Sequence, residues 1–317
     1  MDKTDLKIIN ILSDNCRTSN NSAGRSVGLS SKSVKARIDK LIEEGIIQEF
    51  ILNINPIIFG FQKDHLLVIN EEAANRLTGN NKDVNSHFQS MAIDQIINRI
   101  NLAEDLYMHV QLMHGSHSFL SAVRDGTDDK VSLLVHSLKP IVRLSRLLQR
   151  IPLAPSIRVK EIDLKIIKTL ISKPRMGISD VAKSVSLSTK TVANRIEKLS
   201  ENRIIGFSLL TDPISIKGEG YIQFSLVIDV EKSRQKEVFE QIYHDFHEYF
   251  VYNPYVTPFE NVIHLRLCSI DMFTVDYITK QTKSYGGVQH VGLFFTTRQT
   301  YYKEWLLREI NRRIEID

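Results

Sequence analysis

Leu6, Ile9 and Leu12, with Ile8 one step round, repeat at helical spacing near the start of the chain. Asp2 stands where an N-cap would, and Asp5 sits in the first turn against the helix dipole. A short second helix is predicted over residues 22–27. The turn Gly28-Leu29-Ser30 follows, and its serine is placed to cap a third helix whose Val34, Ile38 and Leu41 point inward. Gly45 ends that helix, and residues 46–54 read as an extended segment closing at Pro56. The same pattern then returns much later: a helix opening on Asp163, a second over 179–185, the turn Ser186-Leu187-Ser188, inward Val192, Ile196 and Leu199, and an extended segment over 204–210 closing at Pro213. Lys160 occupies the cap position there, so this second start is less well marked.

The recurrence extends to residue identity. Asp5-Leu6-Lys7-Ile8-Ile9 reappears as Asp163-Leu164-Lys165-Ile166-Ile167, an offset of 163 − 5 = 158. At that offset Val27, Leu29, Ser30, Lys32, Val34, Arg37, Ile38, Lys40 and Leu41 meet identical residues between Val185 and Leu199. Roughly twenty of about 43 ungapped positions agree, far beyond chance, and two copies so far apart are a duplicated module rather than a solenoid. Three short helices with a tight turn between the last two, then an extended segment, describe a winged helix-turn-helix.

Each copy is followed by about 100 residues of mixed pattern. In the later stretch Ile222, Phe224, Leu226, Ile228 and Val230 recur at every second position, with Gln223, Ser225 and Asp229 among those between, as in a strand. Phe239, Ile242, Tyr243, Phe246 and Phe250 form a helical stripe. Ile263, Leu265 and Leu267 alternate again, 271–285 reads as helix and 288–297 as strand. With a weak strand over 251–256, the order is β-α-β-β-α-β, ferredoxin-like. The earlier stretch follows it loosely through 65–70, 84–100, 107–113, 118–123, 129–138 and 141–153. A last helix over 303–314 has no partner in the first half. The expected fold is α+β: winged helix-turn-helix domains at 1–56 and 157–213 alternate with ferredoxin-like effector and dimerisation domains at 57–156 and 214–317.

A chain of 317 residues, 42% hydrophobic, can bury several cores. No apolar run approaches the length of a membrane span, and Asp2, Asp5 and Asp14 make the amphipathic start unlike a signal peptide. Only Cys16 and Cys268 are present, which fits a reducing cytoplasm and provides no metal framework. The formal charge of +4 says little by itself about nucleic acid.

The placement of charge says more. The outward positions of the third helix are Ser31, Lys32, Ser33, Lys35, Arg37 and Lys40, against Asp39 alone. In the second copy they are Thr189, Lys190, Thr191, Asn194, Arg195 and Lys198, against Glu197. Cations and small hydrogen-bonding side chains at the start of a helix fit a DNA major groove, the cations on phosphates and the Ser, Thr and Asn on base edges or phosphate oxygens. A lone charged helix is usually a solvated face. The same Ser/Thr-Lys-Ser/Thr-Val run after a tight turn in both copies favours DNA contact.

These residues resemble the Lrp/AsnC (feast/famine) family. The resemblance rests on the opening Asp-Leu-Lys-Ile-Ile, on Val27-Gly28-Leu29-Ser30, on Val34 through Arg37-Ile38 to Leu41, and on Glu43-Glu44-Gly45-Ile46-Ile47 into Asn55-Pro56. Val185-Ser186-Leu187-Ser188, Arg195-Ile196, Leu199 and Asp212-Pro213 carry it in the second copy. It implies a ferredoxin-like domain after each reader, dimerisation through those domains, and small effectors, commonly amino acids. Such regulators carry one module per chain, so this chain resembles two of them fused. The family's Gly-x-x-Asp turn is replaced by His114-Gly115-Ser116-His117 in one half and Phe259-Glu260-Asn261-Val262 in the other. Asn20 and Gly24 stand where the second copy has Ile178 and Ala182; a mid-helix glycine costs about 1 kcal/mol relative to alanine, so the first copy's second helix is expected to be the weaker.

His109, His114 and His117, and His244 with His247, fit no zinc spacing and read as surface or interface residues. There is no P-loop, nucleophile elbow or zinc-protease helix. Lrp-like folds also serve enzymes that decarboxylate a modified tetrapyrrole of the sirohaem type. His264, Arg266 and His290 are the candidates for such a site, against a plainer reading as an outer sheet face. Two basic readers argue against that class and against a bare interaction scaffold. The expectation is therefore a cytoplasmic, prokaryote-type transcription regulator and not an enzyme. It needs no cofactor or metal, and its partner is double-stranded DNA. A small-molecule effector and homo-oligomerisation are further expectations. The two halves form an intramolecular pseudo-dimer whose sheets face each other.

Overall fold

The computed structural model describes residues 1–59, 63–70, 106–115, 117–124, 143–150, 155–211, 222–250, 261–301 and 303–316. Helices α1 (Lys3–Asp14), α2 (Asn20–Val27) and α3 (Ser31–Glu43) lead into strand β1 (Ile47–Ile54). Strands β2 (Lys63–Asn70), β3 (Leu106–Gly115), β4 (His117–Arg124) and β5 (Arg143–Arg150) follow. The three-helix pattern then returns as α4 (Glu161–Ser172), α5 (Ile178–Ser184) and α6 (Thr189–Glu201), with strand β6 (Ile205–Thr211). The last part comprises β7 (Ile222–Val230), α7 (Gln235–Phe246), β8 (Val262–Ser269), α8 (Met272–Ser284), β9 (Val288–Tyr301) and α9 (Glu304–Ile316). The strand expected over 251–256 and the helices expected over 84–100 and 129–138 lie outside the described residues.

The two starts differ as their cap residues require. Asp2 Oδ1 accepts from the Asp5 N–H at 2.8 Å and Asp5 Oδ2 from the Asp2 N–H at 2.9 Å, a reciprocal capping box. At α4 only one arm exists, the Lys160 N–H donating to Asp163 Oδ2 at 2.9 Å. Ser30 and Ser188 cap α3 and α6, each accepting at 3.1 Å from the N–H three residues on. The turn before each cap needs a positive φ, which Gly28 takes at 71° and Ser186 at 55°.

Gly24 has a packing reason. A Cβ built on it would lie 2.4 Å from the Leu29 carbonyl oxygen, so the glycine lets the turn close onto α2. Its cost in helix propensity is exchanged for that close approach. The stripe on α7 is also turned from the predicted one. Val238, Ile242 and Phe246 are buried, whereas Phe239 and Tyr243 lie on the exposed side.

β1 and β6, the two wings, pair with each other as an antiparallel two-stranded sheet. Gln48 is an extra residue between Ile47, opposite Thr211, and Glu49, opposite Leu210. This bulge changes the offset between copies from 158 to 157, which is why Asn55-Pro56 aligns with Asp212-Pro213. At the new offset Ile51 and Ser208 are equivalent, since 208 − 51 = 157, and they stand opposite each other. Equivalent strands therefore cross about their own midpoint.

The crossing exchanges core residues. Leu52 and Ile54 of β1 pack with Leu164, Ile167, Leu170, Ile196 and Leu199 of the second reader, and Leu209 of β6 packs with Leu6, Ile9, Val34 and Leu41 of the first. Helix α9 closes the second core with Leu306 and Ile310, and its Arg313 donates to the Phe59 carbonyl at 2.8 Å.

The remaining strands form one seven-stranded sheet in the order β5-β2-β4-β3-β9-β7-β8. β9 pairs with β7 through its first half and with β3 through its second, so the half-sheets are hydrogen-bonded edge to edge through a shared strand. The half-sheets are expected to face each other; among the described residues they are joined instead through β9. Fourteen residues of β9 give it the length to serve both. One face of β7 and β8 buries Phe224, Leu226, Ile228, Ile263, Leu265 and Leu267 against Val238, Ile242, Val275 and Ile278 of α7 and α8.

Candidate nucleic-acid interface

Helices α3 and α6 are held by three apolar side chains each, all within 8% exposure: Val34, Ile38 and Leu41, and Val192, Ile196 and Leu199. That anchorage turns the opposite faces to solvent. Ser31, Lys32, Ser33, Lys35 and Lys40 are exposed on α3, as are Thr189, Lys190, Asn194 and Lys198 on α6. Thr191, Arg37 and Arg195 are half-buried.

The structure divides these residues by task. Ser33 Oγ lies 2.8 Å from Ser30 Oγ, and Thr191 Oγ1 2.8 Å from Ser188 Oγ, so both hydroxyls are tied to the helix cap. Arg37 donates to Asp5 Oδ1 at 2.6 Å and to Asp2 Oδ2 at 2.8 Å. Arg195 donates to Asp163 Oδ1 at 2.7 Å. The two arginines, expected on phosphates, thus bind the third helix of each reader to the first turn of its first helix. The carboxylates they meet are nearly buried, at 7% for Asp5 and 5% for Asp163. The hydrogen bonds that Arg37 donates to Asp5 and Asp2 raise its pKa further, and the Asp5 N–H, with Arg37, holds the Asp2 carboxyl below the usual carboxylate range.

The lysines differ again. Lys35 pairs with Asp39 at 2.5 Å and Lys40 with Glu44 at 3.5 Å, both exposed pairs one helical turn apart, which contribute little and exchange readily for phosphate. Among the described residues Lys32, Lys190 and Lys198 form no ion pair. The cationic surface on each reader is smaller than the sequence suggested, and it is concentrated at Lys32 and Lys190, beside the helix N-termini.

Two further arginines were missed. Arg17 and Arg175 lie in the first turn of each reader at the 158-residue offset. Arg17 donates to the Pro174 carbonyl at 2.6 Å with its guanidinium 5.1 Å above the Phe207 ring. Arg175 reaches Asn20 Oδ1 at 3.4 Å and lies 4.8 Å above Phe50. Their identity at the repeat offset was the available signal.

His264 and Arg266 are half-buried on the β8 face turned away from α7 and α8, with Val227 and Ser225 as cross-strand neighbours. Ser225 has no exposure, and its Oγ has no hydrogen-bond partner among the described residues. Gln223 beside it is 1% exposed and accepts from Thr211 Oγ1 at 3.2 Å. His290 is exposed opposite Asp229. The plainer reading of His264, Arg266 and His290 as an outer sheet face agrees with their partial or full exposure, while Ser225 beside Arg266 is buried. His244 meets Asp245 at 2.8 Å and the His247 ring lies 5.6 Å from Tyr243. Of the two family turn positions, Ser116 and the 259–260 pair lie outside the described residues, and so do the side chains of His109, His114 and His117.

Three helices, a cap-locked third helix with an exposed basic face and a paired wing define a winged helix-turn-helix. The family model described as winged helix-turn-helix DNA-binding matches residues 1–48, and that of the AsnC-type helix-turn-helix domain matches residues 161–200. The resemblance to the Lrp/AsnC regulators finds support in these matches: the chain carries one helix-turn-helix segment of the AsnC type and, before it, a second of the general winged kind.

Among curated relatives, the HTH-type transcriptional regulator Ptr1 of Methanocaldococcus jannaschii is 44% identical over 62 residues, 20% of this chain and 42% of that protein. An uncharacterised HTH-type transcriptional regulator of Pyrococcus horikoshii is 24% identical over 110 residues, 35% of this chain and 66% of that protein. The chain thus spans from under half to about two thirds of the length of these relatives. Among solved structures, the siroheme decarboxylase NirDL covers 99% of both chains with a TM-score of 0.50 at 14% identity. AsnC of E. coli covers 50% of this chain and 97% of its own, with a TM-score of 0.31 at 17% identity. The first of these likenesses overturns the expectation that the chain is not an enzyme. A whole-length fold that also serves a decarboxylase gives no ground for excluding catalysis. Among the described residues no helix is long and apolar enough to cross a membrane.

Proposed function

We propose that this chain is a double-stranded DNA-binding transcription regulator of the Lrp/AsnC type, in which two fused halves act as an intramolecular pseudo-dimer. The observation that carries the reading is the pair of cap-locked helices α3 and α6, each exposing a lysine without an ion pair beside its N-terminus, Lys32 and Lys190. That is where a recognition helix meets phosphate and base edges. The crossing of β1 and β6 about Ile51 and Ser208 supports the pseudo-dimer. The strand orders β5-β2-β4-β3 and β9-β7-β8 support a ferredoxin-like unit after each reader. An effector of this regulator is expected in the cleft between those units.

The test is fluorescence anisotropy with DNA selected from a random pool. Four or five cationic contacts give a log–log salt slope of about −3.6 to −4.5, and Lys32→Ala with Lys190→Ala lowers its magnitude by about 2. Asn194 pairs bidentately with adenine where Ala36, its counterpart, can touch only a thymine methyl, so the selected site has unequal halves. Asn194→Ala relaxes one half-site by about 1–3 kcal/mol. A perfectly palindromic selected site would end the pseudo-dimer reading and leave DNA binding standing.

A second reading has its own observation. The polar face of β7 and β8, with Ser225, Gln223, His264 and Arg266, joins the whole-length likeness to a siroheme decarboxylase. On that reading the chain binds a carboxylate-rich tetrapyrrole between its ferredoxin-like units. Titration with sirohaem, followed by its visible absorption and by release of carbon dioxide, decides it; an unchanged spectrum at micromolar protein would reject it.

A further inference from the structure

The geometry points to Arg17 and Arg175 as positioning residues for DNA recognition: each reaches across to the other reader, and together they set the separation and rotation of α3 and α6, hence the spacing between half-sites. The inference rests on the DNA-binding reading. Its basis is the reciprocity of the contacts. Arg17, after α1, bonds the Pro174 carbonyl at 2.6 Å and stacks 5.1 Å from the Phe207 ring of the second wing. Arg175, after α4, meets Asn20 Oδ1 at 3.4 Å and stacks 4.8 Å from the Phe50 ring of the first wing. Phe50 and Phe207 are equivalent at the 157-residue offset, and they flank the Ile51–Ser208 midpoint.

The links are continued by one backbone bond and one hydroxyl. The Cys16 N–H donates to the Phe207 carbonyl at 3.2 Å and Ser208 Oγ donates to the Ser13 carbonyl at 2.7 Å. Neither arginine forms an ion pair among the described residues, so no carboxylate competes for them. A planar guanidinium both stacks on a ring and directs its N–H groups in a fixed fork, which fixes angle as well as distance. Burial and the neighbouring Arg175 lower the Arg17 pKa, as expected for two cations held close together. Strand pairing alone holds the wings in register, but a two-stranded ribbon twists easily. The arginines add a contact from each reader to the wing ring on either side of the crossing, and such paired contacts resist that twist.

The experiment uses the full chain with Arg17→Gln and Arg175→Gln, singly and together, and the corresponding Lys variants. Spin labels are placed at Glu43→Cys and Glu201→Cys, equivalent exposed positions near the C-terminal ends of α3 and α6. Both native cysteines are buried. The unmodified arginines give a narrow label-to-label distance distribution, and the Gln and Lys pairs both broaden it. On DNA, inserting about half a helical turn between half-sites weakens the unmodified protein about tenfold and the double variant less than about threefold. Rescue by Lys would show that charge on phosphate, not placement, is what the residues supply, and would overturn the inference. So would an unchanged distribution, or an equal loss of affinity at every spacing. If the unmodified chain binds no DNA, the DNA reading falls and takes the spacing claim with it, while the distance distribution still shows whether the arginines hold the readers.

Discussion

Truncating Leu52 should open the second reader, although Leu52 belongs to the wing of the first. Leu52 is 1% exposed and lies in the cluster formed by Leu164, Ile167, Leu170, Val192, Ile196 and Leu199. Leu52→Ala removes three carbons from a filled site, and large-to-small changes of that kind cost about 3 kcal/mol once the cavity is included. Leu209 is the converse. It is 6% exposed, packs with Leu6, Ile9, Val34 and Leu41, and its truncation should cost about 2–3 kcal/mol from the first reader. The assay is amide hydrogen exchange resolved by peptide. A local loss of 3 kcal/mol speeds exchange through core opening by about a hundredfold. For Leu52→Ala that acceleration should appear in α4 and α6 with α1 and α3 changed far less, and Leu209→Ala should give the reverse. Acceleration of α1 and α3 by Leu52→Ala would refute the exchange of strands. Equal acceleration of both readers would show one cooperative block in place of two cores completed by each other's wings.

Gly24→Ala, which propensity alone would make stabilising by about 1 kcal/mol, should instead lower stability by about 1–2 kcal/mol, because the added Cβ meets the Leu29 oxygen at 2.4 Å; chemical denaturation gives the sign, and a gain would overturn the argument. Arg37→Ala and Arg195→Ala should each lower stability by about 1–2 kcal/mol through the carboxylate left behind, while changing the salt slope of DNA binding less than Lys32→Ala does. A slope falling equally for both kinds of variant would return the arginines to the phosphates. The Asp2 pKa is depressed in the folded chain, first by the Asp5 N–H, so the capping box adds stability above the unfolded carboxylate value and loses it as pH falls below about 4. Asp2→Asn should flatten that acid limb in a pH series of melting temperatures, and an unchanged limb would show that the cap does not titrate with folding.

The readers were legible because each is built from local signals: Asp2 and Ser30 cap, Gly28 turns, and Val34, Ile38 and Leu41 keep one period. The repeat doubled every such signal. What the sequence withheld was long-range. Nothing in the residue types says that Leu52 completes the core of the other reader, because its alternation is satisfied by any apolar partner. β9 was read four residues short, at 288–297, since Arg298, Gln299 and Thr300 lack the alternation, yet backbone pairing to β3 extends it to Tyr301. Arg37 and Arg195 are expected on DNA from their place on a basic helix face repeated in both copies, and the structure also pairs them with Asp5 and Asp163. A cation on a helix face and a cation paired with a nearly buried carboxylate are written with the same letter, and only the position of Asp5 and Asp163 tells them apart.

The fusion keeps symmetry where the wings cross and abandons it elsewhere. Ile51 meets Ser208, and Arg17 and Arg175 answer each other across the pair. Beyond that centre the surroundings diverge. Asn10 of α1 accepts from the Cys268 thiol at 3.2 Å and donates to the Glu248 carbonyl at 2.5 Å, so the first reader is seated on β8 and the turn that follows α7. The second reader is instead covered by α9 through Leu306 and Ile310. Identical chains in a symmetric dimer cannot present their two readers in such different settings, whereas one chain with two copies can vary each independently. The bulge at Gln48, the glycine at position 24 and the Ala36–Asn194 difference are all changes of that kind. A change at either reader therefore need not be tolerated by the other. It must still respect the crossed strands, because each reader's core contains a residue that the other reader's wing supplies.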